Sequence, residues 1–166
     1  MSILSCPEST RRWMHNPILV AALLGGPVSA LAAPAAVQHF DRETWNTLQR
    51  DSGRPQAVVF STTDCSHCPA AIKQLAAALR NSPSKPRLAV VVMDGLGQEA
   101  ALQADMHYQR ADALYVFSGD AVSLRYRVNP DWRGLTPYVV LLPASGAPRY
   151  FNGVPPAGAL RAFLQP

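Results

Sequence analysis

Cysteine is scarce in this chain, with 3 among 166 residues. That is too few to staple a disulfide-rich miniprotein. Charge is sparse as well, at 16 % of residues, and Lys73 and Lys85 are the only lysines, so almost all positive charge is arginine scattered along the sequence. With no basic cluster along the chain, a net charge of +4 gives little footing for nucleic acid, and no such partner is expected. The 15 Pro and 10 Gly follow no repeat or collagen-like period and mark turns instead. No apolar run reaches the roughly 20 residues of a membrane-spanning helix. What the chain does have is 48 % hydrophobic residues, enough for a real core, which excludes wholesale disorder. Its length suits one domain of about 100–200 residues.

The start of the chain reads as a secretory signal and not as part of the fold. Arg11 and Arg12 form a positive opening, and Pro17 to Leu24 an apolar stretch broken by Gly25, Gly26 and Pro27. Ala30-Leu31-Ala32, or alternatively Val28-Ser29-Ala30, supplies the small residues of a cleavage site. The expected organisation is a signal peptide over 1–33, cleaved or retained as an anchor, followed by one domain over 34–166. Export puts that domain in the periplasm or on the exported side of a membrane, where disulfides persist. Cys6, Glu8, Arg11 and Arg12 leave with the signal, which leaves 13 basic and 10 acidic residues. Cys65 and Cys68 are then the whole cysteine content.

Along the remaining chain, Phe40 to Arg50 reads as a helix capped by Asp41, with Trp45 and Leu48 at helical spacing. Ala57 to Ser61, Leu88 to Met93 and Tyr138 to Leu142 are short continuous apolar runs, the pattern of strands buried on both faces. Pro69 to Arg80 is an Ala-rich helix with Ile72, Leu75, Ala76 and Leu79 on one face. The turn before it, Thr62-Thr63-Asp64, carries potential capping groups. Glu99 to Arg110 reads as a helix, Leu114 to Phe117 as a short strand, Ala121 to Tyr126 as a helix running into Arg127-Val128, and Pro156 to Leu164 as a closing helix. Ala144-Ser145-Gly146 is a hairpin turn, and Pro148 to Asn152 its return strand. Helices alternating with buried strands predict an α/β layered domain. The terminal hairpin makes its sheet mixed.

The chemistry lies in Phe60-Ser61-Thr62-Thr63-Asp64-Cys65-Ser66-His67-Cys68-Pro69, where a strand turns into a helix. This places Cys65 at a helix N-terminus, where free N–H groups and the helix dipole favour a thiolate. Cys68 follows one turn later, close enough to bridge it. Positive character on His67, between them, would favour the thiolate further. A Cys65 thiolate can attack a substrate disulfide and Cys68 can resolve the mixed disulfide. The rival chemistries fit less well. A structural zinc site wants four ligands, and no second C-x-x-C or spaced histidine pair exists. Haem attachment needs His after the second Cys, where Pro69 stands. A purely structural disulfide across so short a span stabilises little. Copper(I) held by both sulfurs with His67, His107 or Met106 is chemically reasonable.

This C-x-x-C unit is followed by Gly134-Leu135-Thr136-Pro137, an apolar strand, a tight turn and a return strand, and the order resembles the thioredoxin superfamily over roughly residues 38 to 164. The long stretch between Asp94 and Pro137, with Tyr126, Val128, Gly134 and Pro137 in sequence, resembles the insert of the TlpA/ResA-like exported thiol-disulfide oxidoreductases. The resemblance implies a thioredoxin-like fold: a central mixed β-sheet flanked by helices, with an added helix and strand before the proline loop. It implies that Cys65 attacks and Cys68 resolves. It also implies that Pro137 is cis and lies against the disulfide, and that Thr136 offers backbone groups to a substrate strand. The chain departs from the family's pattern at Asp64, where Trp is usual, and at Val59, where many members bury an acid. It departs again at Ala71 to Lys73, where TlpA-like proteins often carry Glu and Pro. Ser66-His67 is closer to the dipeptide of DsbA-type oxidants.

The expected function is therefore an exported protein-disulfide oxidoreductase, monomeric and without a cofactor. It would act on protein thiols and disulfides together with a membrane or periplasmic redox partner. The alternative is a metallochaperone that carries Cu(I) between Cys65 and Cys68, and a third reading is an adaptor that merely keeps the fold.

Overall fold

The computed structural model describes residues 36–165 apart from Ser52. The expected signal over 1–33, its cleavage site and Cys6 lie outside the described residues. The described chain runs β1 (Val37–Phe40), α1 (Arg42–Arg50), β2 (Gln56–Ser61), α2 (Cys68–Arg80), β3 (Arg87–Val92), α3 (Glu99–Ala104), β4 (Ala113–Phe117), α4 (Ala121–Val128), β5 (Tyr138–Leu142), β6 (Arg149–Asn152) and α5 (Ala157–Leu164), with one 3-10 turn at Tyr108–Arg110.

The strands form one sheet in the order β1-β4-β3-β2-β5-β6. β1, β4, β3 and β2 pair in parallel, β5 pairs antiparallel to β2, and β6 pairs antiparallel to β5, so the sheet is mixed as the hairpin predicts. β2 is its centre, and all six of its residues are buried. Side chains alternate between faces, which splits the core in two. Val59, Val90 and Val139 pack with Ile72 and Leu75 of α2 and with Leu160 and Phe163 of α5. On the other face Phe60, Val91 and Val140 pack with Trp45 of α1 and Leu124 and Val128 of α4. No helix among the described residues is long and apolar enough to cross a membrane.

Three local expectations are corrected. Phe40 does not open α1 but ends β1, a strand of 4 residues of which only Phe40 is buried. A strand this short shows no alternation in sequence, and it forms because its backbone pairs with β4 from Val37 to Phe40. The cap of α1 is as expected: the Thr44 amide donates to Asp41 Oδ1 at 2.8 Å, and this bond holds the Asp41 carboxyl below its ordinary range. The helix expected over Glu99 to Arg110 breaks at Asp105, whose Oδ1 accepts the His107 amide at 2.7 Å. That side chain offers the backbone a local alternative to the helical bond. The third correction concerns the start of α2, in the candidate site. The stretch between Asp94 and Pro137 holds α3, β4 and α4, and β4 lies between β1 and β3 in the sheet.

Candidate active site

β2 ends at Ser61, and the chain turns through Thr62-Thr63-Asp64 before α2 begins. The Cys65 amide donates to the Thr62 carbonyl at 3.3 Å and the Cys68 amide to the Cys65 carbonyl at 3.2 Å, so two successive tight turns wind the chain into the helix. Cys68 is the first residue of α2 and His67 its cap, with Pro69 in the first turn. Proline is tolerated there because the N–H it lacks has no helical partner. Cys65 thus lies in the turn just before the cap and not on the helix itself, still facing the positive end of the dipole. No side chain caps α2; Thr62, Thr63 and Asp64 do not play the part expected of them.

Cys65 and Cys68 form a disulfide, S–S 2.00 Å with Cα atoms 5.4 Å apart. The two are unequal. Cys65 is partly exposed, whereas Cys68 is 1 % exposed. His67 is exposed at the helix start. Val59 is fully buried with Ile72 and Leu75, an apolar side chain in an apolar layer beneath α2.

The second half of the site comes from the segment before β5. The Thr136–Pro137 bond is cis, as the resemblance implies. The Pro137 carbonyl accepts the Gly153 amide at 2.8 Å, and Thr136 Oγ1 lies 3.4 Å from Thr62 Oγ1. The proline loop is thereby joined to the hairpin on one side and to the cysteine turn on the other. Between them opens a cleft of about 500 Å³ lined by His67, Gln74, Leu135, Thr136, Pro137 and Val154 among others. Its lining carries no carboxylate, lysine or arginine, and Leu135 stands 64 % exposed on it. His67, Thr136 and Pro137 therefore share one surface beside the disulfide.

The copper donors are not so gathered. Among the described residues no three His, Cys, Asp or Glu side chains come together as a metal-binding group. Neither His67 nor His107 therefore completes a set with the two sulfurs. His107 is partly buried beside the break after α3, and Met106 is 65 % exposed.

Two features went unseen in the sequence. The first is Asp94, just past the end of β3. Its carboxylate accepts the Thr63 amide at 2.9 and 3.2 Å and the Thr63 hydroxyl at 2.7 Å. Because β2 and β3 are parallel neighbours, their C-terminal ends meet, and one strand's acid ties down the other strand's turn. The only sequence signal was an acid closing a buried strand next to the one that leads to Cys65.

The second is Trp132. It stacks on Tyr138 at 4.4 Å and 9°, lies 4.9 Å from Phe60, and donates its indole N–H to the Leu135 carbonyl at 3.0 Å. Tyr138 in turn takes a 2.7 Å bond from Asn129, and burial pushes its phenol pKa up, so it stays neutral.

Charge-assisted hydrogen bonds contribute about 1.5–3 kcal/mol, less where exposed as here. Asp94→Ala should therefore cost about 1 kcal/mol in a denaturant titration. It should also change the alkylation rate of reduced Cys65 at fixed pH, while Asp94→Asn, which keeps an acceptor oxygen, should restore most of both. An alkylation rate unmoved by Asp94→Ala would show that the clamp does not set the cysteine turn.

No protein-family model matches the sequence, and no curated protein matches it. Solved structures do. The thioredoxin domain of a thiol-disulfide oxidoreductase from Bacteroides vulgatus matches with a TM-score of 0.50 at 11 % identity, over 69 % of this chain and 81 % of that one. A secreted Mycobacterium tuberculosis disulfide oxidoreductase, homologous to E. coli DsbE, has a TM-score of 0.47 at 18 % identity over 66 % and 82 % of the two chains. StoA from Bacillus subtilis has 0.47 at 16 % over 70 % and 86 %. With a C-x-x-C opening the helix after the central strand, and a mixed sheet closed by an antiparallel hairpin, the chain has the thioredoxin-like fold.

Proposed function

We propose that this protein is an exported thiol:disulfide oxidoreductase that reduces or exchanges disulfides of other proteins through Cys65 and Cys68. One observation carries the reading. A partly exposed cysteine is bonded to one that is 1 % exposed, at a helix start beside an uncharged cleft. That asymmetry separates the two steps of exchange.

In the reducing direction, the Cys65 thiolate attacks one sulfur of the substrate disulfide. The substrate S–S bond breaks, one substrate thiolate leaves, and a mixed disulfide forms on Cys65. The Cys68 thiolate then attacks the Cys65 sulfur and expels the second substrate thiolate. Two electrons have passed to the substrate, and the protein holds the Cys65–Cys68 disulfide. A dithiol partner in the periplasm or at the membrane must reduce it again. Thr136 and Pro137 line the cleft where a substrate chain would lie, in reach of backbone pairing with the segment before β5. His67, exposed at the cap, adds positive character close to the sulfurs when protonated, which favours the thiolate. Reaction in the opposite direction uses the same atoms, and the partner sets which way electrons run.

Cys68→Ser should accumulate mixed disulfides through Cys65, because nothing resolves them, and Cys65→Ser should accumulate few. Non-reducing gels followed by mass spectrometry read both variants. Trapping through Cys68 in place of Cys65 would reverse the roles. Export is tested separately by N-terminal sequencing of the protein from the cell envelope. The expected mature start lies between residues 31 and 36, and an intact Met1 in the cytoplasm would contradict export.

A further inference from the structure

The arginines are scattered in sequence, but the fold gathers four of them on α4 and its surroundings. Arg42 and Arg127 line a groove of about 600 Å³ between the start of α1 and the outer face of α4. Arg125 and Arg133 line a second, which shares Val122, Tyr126 and Pro130 with the first. The two are therefore one continuous surface. Its floor is apolar and open, with Val122 63 % and Tyr126 66 % exposed. Neither groove is lined by a carboxylate, and none of the four arginines forms a salt bridge among the described residues.

The acids on the two helices are engaged, Glu43 by the Asn46 side-chain amide at 3.3 Å, and exposed Asp131 of the following loop lines neither groove. Asp41 caps α1 through Thr44, and Asp120 caps α4 through the Ser123 amide at 2.8 Å. Arg125 and Arg127 sit in the last turn of α4, where they complement the helix dipole. That accounts for part of the pattern, but not for Arg42 or Arg133, nor for the exposed Tyr126 and Val122 among them.

The surface is continuous with the candidate active site through a single loop. Between α4 and β5 this loop contributes Pro130 to the first groove, Trp132 and Arg133 to the second, and Leu135 to Pro137 to the cleft beside the disulfide. Arg125 packs against the same loop. A Cβ placed on Gly134, whose φ is +83°, would come within 2.5 Å of the Arg125 guanidinium. A chain that enters the uncharged cleft with its cysteine and continues along the loop would run onto the arginines.

We propose that this face docks an acidic segment of the protein whose disulfide is exchanged, with carboxylates meeting the arginines and an apolar or aromatic side chain lying against Val122 and Tyr126. The proposal rests on the redox reading above and adds the partner's chemistry to it. Cations without a salt bridge around an apolar floor suit acidic peptide, and electrostatic complementarity of this kind acts on encounter rate and partner choice.

The test uses a pair of cystine peptides, one Asp-rich with a Phe beside its cysteine, the other with Lys in place of Asp. Neutral hydroxyethyl disulfide serves as the reference substrate. At low salt the wild-type protein should process the Asp-rich peptide about ten-fold faster than the Lys-rich one, and the difference should collapse as salt rises. The Arg42→Glu/Arg127→Glu variant should reverse the preference and leave the hydroxyethyl disulfide rate unchanged. Equal rates for the two peptides, or a preference that survives the double substitution, would overturn the proposal.

Binding of the Asp-rich peptide with Ser in place of Cys, followed by fluorescence anisotropy, reads the surface without redox chemistry. If hydroxyethyl disulfide is not turned over but this peptide still binds wild type better than the variant, the redox reading fails and the acidic docking surface stands. If single-stranded DNA of matched charge binds this face more tightly than the peptide, the surface is a nucleic-acid site and the proposal is wrong.

Discussion

The packing of Phe60, Trp132 and Tyr138 joins the two halves of the candidate site. Phe60 lies on the central strand one turn of chain before the cysteines, and Tyr138 opens the strand that follows Pro137. The two residues are opposite one another in the β2–β5 pairing. Trp132 covers both, at 4.9 Å from the first ring and 4.4 Å from the second. Aromatic contacts of this type contribute about 0.5–1.5 kcal/mol each beyond the area they bury. Their larger consequence is geometric. They hold the loop that carries Thr136 and Pro137 to the same sheet that delivers Cys65, so that the cleft between them has fixed walls.

Polar contacts complete what the aromatic packing begins. Asp94 ties down Thr63 from the next strand, Thr62 and Thr136 meet side chain to side chain, and Gly153 holds the Pro137 carbonyl. The cysteine turn is thus fixed from β3 and from the proline loop before α2 begins. α2 starts without a side-chain cap, and the hydroxyls of Thr62 and Thr63, two of its candidate caps, bind elsewhere. The start of α2 still presents the positive end of its dipole beside Cys65, a placement that favours a thiolate.

Much of the architecture could be read directly. β2, β3 and β5 are uninterrupted apolar runs because both faces of each are covered, and such runs stand out in any sequence. The C-x-x-C between a strand and a helix carries its chemistry in its spacing, and Gly134 to Pro137 before a strand carries the loop. What escaped depends on contacts distant in sequence. β1 exists because β4 gives it a partner, and its four residues show no period of their own. The end of α3 turns on which hydrogen bond the Asp105 side chain prefers. Asp94 and Thr63 are brought together by strand pairing alone, and Trp132 in its irregular stretch looks like any core aromatic. The arginine face is the clearest case, since residues from α1, α4 and the following loop meet only in the fold.

The central claim is that Cys65 and Cys68 form a reversible two-electron couple whose poise is set by the start of α2 and by His67, with no buried acid at Val59 to oppose the thiolate and with the exposed carboxylates of Asp64 and Asp94 working against it. A stabilised thiolate makes a disulfide more oxidising, and thioredoxin and strong oxidants of the DsbA type bracket the range at about −270 and −120 mV. Equilibration of the purified protein with reduced and oxidised glutathione, with thiols quantified by alkylation, measures the potential directly. The account predicts a single two-electron transition at about −220 to −160 mV, lowered in His67→Ala. A value near −270 mV that His67→Ala leaves unmoved, or a pair that does not cycle reversibly, would contradict it.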